Sequence, residues 1–200
     1  MTMQANQDKL AQYAQFFTIE HSFSINVKTL DNKQVSDFSQ FLEQMPTPFK
    51  MVGEMSTIDQ AALKPLQALT GVAGQLVDYL KHQAQKIDLL MNYILQQQNE
   101  DNARFQGVSF GGAGIAFISD KPWQLNQLVE LKLFLPEENA AIYCFAEVID
   151  ISPQEQQFHH KLLFHFIRDE DRELLVRASL HKQTKQLQQL AQQRQQNTEH

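Results

Sequence analysis

From Leu66 to Ile94 apolar side chains return in alternating steps of three and four: Leu66, Leu69, Ala73, Leu76, Leu80, Gln83, Ile87, Leu90 and Ile94. Eight of these nine positions are apolar, and Gln83 is the exception. A mean step of about 3.5 residues is the a/d repeat of a helix that meets other helices along a seam. Pro65 suits its first turn, where a missing N–H has no partner to lose, and Thr70, Gly71 and Gly74 lower helicity near the start. A helix of roughly 30 residues is about 45 Å long at 1.5 Å per residue. That is longer than a small domain is wide, so part of the seam needs a partner from outside. Val72, Val77, Tyr79, Leu89, Met91 and Tyr93 widen the apolar face. One side can then serve the helix's own domain while the other serves a second chain. The competing reading buries the helix wholly in its own domain. Burying eight such residues is worth roughly 10–20 kcal/mol before entropy costs. The expected outcome is a homo-oligomer held at Leu69, Leu76, Leu80, Ile87, Leu90 and Ile94, with Gln83 fixing the register.

The run Gln96-Gln97-Gln98-Asn99-Glu100-Asp101-Asn102 is a polar break, and beyond it the apolar period falls to two. Four strands are expected there: a glycine-rich one reaching Ser119, then Leu128–Leu135, Ala141–Ile151 and Phe158–Ile167. Short strands joined by turns suggest an antiparallel barrel or sandwich. Asp169 with Glu170, Asp171 and Glu173 marks the start of a final helix, frayed by Gln195. Before the long helix, Phe17, Ile19, His21, Phe23, Ile25 and Val27 alternate with polar residues, which predicts a half-buried strand. Residues 36–44 read as a short helix ended by Pro46 and Pro48, and residues 1–15 as a frayed or weakly helical start. The fold class is α+β: an antiparallel barrel preceded by a long heptad helix and followed by a C-terminal helix. The divisions are 1–55 for an N-terminal strand and helix extension, 56–98 for the long helix, and 99–200 for the barrel and last helix. The extension has no assigned role beyond that of a further strand layer on the barrel.

Net charge narrows the partners. At −6 the chain lacks the basic surface of a general nucleic-acid binder. One cysteine, Cys144, excludes an internal disulfide and fits a reducing compartment. The first residues contain no apolar leader, and no apolar run approaches 18 residues, so no membrane role and a cytoplasmic location are expected.

Three motifs invite chemistry. Gly107-Val108-Ser109-Phe110-Gly111 has the G-x-S-x-G spacing of a hydrolase elbow, but that motif works on a strand–turn–helix, and here an apolar strand comes next. Gly107, Gly111, Gly112 and Gly114 lack the Gly-Lys-Ser/Thr of a phosphate loop, so tight turns and close strand crossing explain them. His159 and His165 share a strand face about 20 Å apart at 3.3 Å per residue, too far for one metal. No carboxylate pair or Cys/His cluster points to catalysis. The expectation is a non-enzyme without metal or cofactor.

Residues 104–119, Arg-Phe-Gln-Gly-Val-Ser-Phe-Gly-Gly-Ala-Gly-Ile-Ala-Phe-Ile-Ser, resemble the central segment of the PilZ domain, with its Asp/Asn-x-Ser-x-x-Gly motif and the strand after it. Ser109 and Gly112 stand at the serine and glycine positions. The strand order and final helix are similar too, over about residues 100–180. The resemblance implies a small barrel that receives cyclic di-GMP, with arginines of an Arg-x-x-x-Arg motif on its phosphates and guanines. Here Glu100 stands four residues before Arg104 and Gly107 replaces the Asp/Asn. Arg104, Ser109 and Gly112 are therefore a degenerate ligand set. Each lost charge-assisted contact costs roughly 1.5–3 kcal/mol. The full layout, including Lys86-Ile87-Asp88-Leu89-Leu90-Met91, looks like the atypical, tetramer-forming branch. The resemblance to that branch implies a non-enzymatic signalling adaptor of the cyclic di-GMP network with weak or no ligand binding. The alternative is a genuine receptor that borrows Arg168, Arg172 or Arg177, and a hydrolase using Ser109 is the third reading.

Overall fold

In the computed structural model, residues 2–30, 37–52, 72–138, 140–154 and 156–198 are described. The elements are α1 (Thr2–Ala14), β1 (Thr18–Thr29), α2 (Phe38–Gln44), α3 (Val72–Gln96), β2 (Arg104–Gly111), β3 (Gly114–Ser119), β4 (Leu128–Leu135), β5 (Ala140–Gln154), β6 (Gln157–Phe166) and α4 (Asp169–Thr198). The six strands close into one antiparallel barrel in the order β1-β2-β3-β6-β5-β4. Closure removes every exposed strand edge.

The period-two pattern sets which side chains enter. Ile25, Val27, Phe110, Ile115, Phe117, Leu131, Leu133, Ile142, Cys144 and Leu162 fill the interior. Leu175 and Ala178 of α4 join the same cluster. A second apolar layer lies outside the barrel, where Phe134, Ala141, Tyr143 and Phe145 meet Phe41 and Met45 at α2, Phe49, and Leu95 near the end of α3. Phe41 stacks on Tyr143 with ring centres 5.8 Å apart. Asp37 caps α2 by accepting the Gln40 N–H at 2.9 Å.

Three expectations change. The strand anticipated within residues 1–55 is no added layer: β1 pairs with β2 on one side and β4 on the other and completes the barrel. The start of the chain, read as frayed or weakly helical, is the full helix α1, docked through Leu10 and Tyr13 on Ala113, Ile149 and Leu163. Residues 47–52, to which the sequence assigns no element, are helical and bury Phe49 completely. Leu66 and Leu69 of the proposed seam lie outside the described residues.

Candidate functional site

Glu100, four residues before Arg104, ties two strands together. Its carboxylate accepts from Lys28 Nζ at 2.7 Å and from Lys132 Nζ at 2.9 Å. The two ammonium groups hold it well below the usual carboxylate range, at about 2. The neighbouring Asn99 accepts from Asn26 Nδ2 and donates to Ser24 Oγ, and Asn26 Oδ1 accepts the Glu100 N–H. This clasp pins the link between α3 and β2 onto β1 and β4. Arg104 is drawn into it: its Nε donates to Asn99 Oδ1 at 3.0 Å, and its Nη2 lies 2.8 Å from Asp101 Oδ1.

Ser109 lies near the other end of β2, about 16 Å from Arg104 at 3.3 Å per residue. The structure therefore does not bring the three candidate residues together. Ser109 faces outward beside Val108, Ala116, Ile118, His159 and Lys161, in a groove of about 870 Å³. Tyr13 of α1 lines the same groove beside Ser109. Burial of the Tyr13 ring raises its pKa, and the Ser109 contact opposes that rise. Gly112 and Gly114 have no room for a side chain. A Cβ on Gly112 would meet Phe16 and Val176, and one on Gly114 would meet the Leu162 carbonyl and the Tyr13 ring. The N-terminal segment thus lies on the motif's serine and glycines.

The groove's one close ammonium is committed as well: Lys161 Nζ is 3.1 Å from Asp150 Oδ2. Desolvation, then the nearby Lys161 charge, lowers the pKa of His159, so the ring favours its neutral form. Of the arginines considered as substitutes, Arg168 is buried and donates to both oxygens of Asp171 and to the Phe49 carbonyl. Arg172 donates to the Gly112 carbonyl. Arg177 is exposed on α4. Ser109 stands within a strand that a two-residue turn joins to another strand, so the elbow geometry of a hydrolase is not formed. Among the described residues no group of His, Cys, Asp and Glu could hold a metal. No helix among them is long and apolar enough to cross a membrane.

The long helix carries two stripes. Val77, Met91 and Leu95 are buried. About a quarter-turn away, Leu76, Leu80, Ile87, Leu90 and Ile94 are 40–64% exposed, and Tyr79, Leu89 and Tyr93 are exposed with them. Of α3, only Leu95 enters the outer apolar cluster on the barrel. Sequence reasoning found the exposed stripe. It missed Tyr13, and it missed the Glu100 clasp, because Lys28 and Lys132 are 72 and 32 residues distant in the chain.

A closed antiparallel barrel, entered by a helix and a polar clasp and left by a second helix, defines a small β-barrel domain. Residues 83–181 match the PilZ domain model, and the chain carries a PilZ domain over those residues. No curated protein sequence matched the chain. Among solved structures, a pathogenic protein from Xanthomonas campestris, described as a tetrameric PilZ domain self-assembled via a helical bundle, is similar in fold. It has 14% identity and a TM-score of 0.57, over 89% of this chain and 96% of that one. The inhibitor of motility from Bacillus subtilis matches at 23% identity and a TM-score of 0.38, over 41% of this chain and 42% of its own. This chain thus spans less than half the length of that protein. The PilZ domain with cyclic di-GMP from Escherichia coli matches at 12% identity and a TM-score of 0.40, over 46% of this chain and 82% of that one.

Proposed function

We propose that this protein is a non-enzymatic adaptor of the cyclic di-GMP network that works by self-association through α3 and by protein contacts, with weak or no ligand binding. The observation that carries the reading is the exposed stripe Leu76, Leu80, Ile87, Leu90 and Ile94 on a helix whose other stripe is already covered. Five large apolar residues left in water at heptad spacing are what a helix bundle between copies would bury. The tetrameric assembly described for the Xanthomonas protein, which shares the fold over nearly its whole length, is consistent with that use.

Weak ligand binding is what the site chemistry supports. A doubly anionic dinucleotide needs free guanidinium groups, and Arg104, Arg168 and Arg172 are engaged inside the chain. The resemblance puts Glu100 in the first arginine's place, and Tyr13 shares the groove with Ser109.

Light scattering of the native chain should give a multiple of the protomer mass. Leu80→Glu with Ile87→Glu is expected to reduce it to one protomer, because the bundle would bury unpaired charges. A monomeric native chain would remove the adaptor's means of assembly. Titration of the native chain with cyclic di-GMP is expected to give little or no heat. Micromolar binding lost on Ser109→Ala and Arg104→Ala would instead establish a receptor.

A further inference from the structure

A second cleft opens at the end of the barrel, on residues to which the adaptor function gives no task. It measures about 510 Å³ and is lined by Thr29, Phe105, Pro122 and Trp123, with Asp120, Lys121, Gln124 and Gln127 among its polar groups. That volume is in the range of roughly 300–1,000 Å³ typical of small-molecule sites.

Its aromatic wall is rigidly set. The backbone N–H of Trp123 donates to His160 Nε2 at 3.2 Å. His160 is fully buried and stacks on Phe117 with centres 4.8 Å apart. The Trp123 ring meets Phe105 and Phe117 edge to face, at interplanar angles of 76° and 81°. Neither neighbour lies flat on the half-buried indole, so a planar partner can take that place. The polar rim offers both kinds of hydrogen-bonding group. Gln127 accepts the Gln124 N–H through Oε1, which leaves its Nε2 protons to donate. Asp120 accepts from Gln157 through Oδ1, which leaves Oδ2 to accept. Lys121 is exposed and forms no ion pair among the described residues, unlike Lys9, Lys28, Lys132, Lys161 and Lys182.

We propose that this cleft binds a small planar aromatic anion of the purine mononucleotide class, its ring flat on the Trp123 indole and its phosphate on the Lys121 ammonium. Stacking on an aromatic side chain suits any nucleobase, since every base has a π-face. A base edge carries the paired donors and acceptors that Gln127 and Asp120 would meet. One lysine on an acidic chain fits a single phosphate, whereas a nucleic-acid strand needs a run of cations.

Trp123 is the chain's one tryptophan, so its fluorescence reports this cleft alone. Titrating the full chain with AMP and GMP is expected to change that emission saturably, while ribose 5-phosphate, which has no ring, leaves it unchanged. Adenosine, which has no phosphate, and the Lys121→Ala variant with AMP should each bind about tenfold more weakly or worse. Ser109→Ala should bind as the native chain does, which separates this cleft from the groove under α1. Calorimetry on Trp123→Leu should show the AMP heat lost. The proposal is overturned by an unsaturable or absent response at millimolar nucleotide. An equal response to ribose 5-phosphate, undiminished affinity in Lys121→Ala, AMP heat retained in Trp123→Leu, or binding lost in Ser109→Ala would each overturn it as well.

Discussion

At Glu100 one side chain fastens the entry of the chain into the barrel. A carboxylate there cannot pair with a phosphate, but it can join two lysines from strands that flank the entry of the chain into the barrel. The side chain of Lys132 is almost fully buried, so removing its partner strands an ammonium away from water. Glu100→Gln is expected to destabilise the fold by about 1–2 kcal/mol near neutral pH, after allowance for the one-third exposure of the carboxylate. The sign with pH is set by the folded value of about 2. The folded state favours the ionised group, so its contribution is full above the ordinary glutamate range and fades as pH falls towards about 2. Denaturant melts of both forms between pH 7 and pH 2 should therefore converge at the acid end. Asp171 runs the other way. Burial raises it to about 6, against the opposing pull of Arg168, so its effect favours folding at low pH and is lost as pH rises through that value.

Among the elements, α1 was the hardest to see in advance. It is a polar, glutamine-containing helix whose described apolar contacts with the barrel are those of Leu10 and Tyr13, beside the Lys9–Glu147 ion pair, too few apolar positions for a periodicity to stand out. By contrast, β1, β4 and β6 were plain, because alternate residues enter the barrel interior. The exposed stripe of α3 was equally plain, since a heptad is a property of a single segment. What stayed hidden was whatever needs two distant segments: Tyr13 against Ser109, Glu100 between Lys28 and Lys132. A chain that begins at residue 16 lacks α1 and should lose about 2–4 kcal/mol, the worth of burying one Leu and one Tyr. It should also melt several degrees lower. A melting temperature equal to that of the full chain would mean that α1 adds nothing to the fold.

For the molecule as a whole, the notable arrangement is that the matched domain, residues 83–181, holds five of the six barrel strands. The sixth, β1, lies on the far side of α3 in sequence. A fragment spanning 83–200 would leave β2 and β4 without the partner between them, and those open edges invite pairing with other chains. Such a fragment is expected to aggregate or to lack fixed aromatic packing by near-ultraviolet circular dichroism. A soluble fragment with native-like packing would show that β1 is dispensable. The separation was not legible from the alternation of residues 17–27, because a period of two tells which face is buried and not which strands lie alongside.

That same arrangement shapes how the protein is made. Thr18 pairs with Gly111, and Thr29 with Val129, so β1 leaves the ribosome long before either neighbour exists. At roughly 5–20 residues per second, the delay is about 5–20 s. Through that interval Ile19, Phe23, Ile25 and Val27 have no interior to enter, and the nascent chain offers them to whatever holds unfinished polypeptides in the cell.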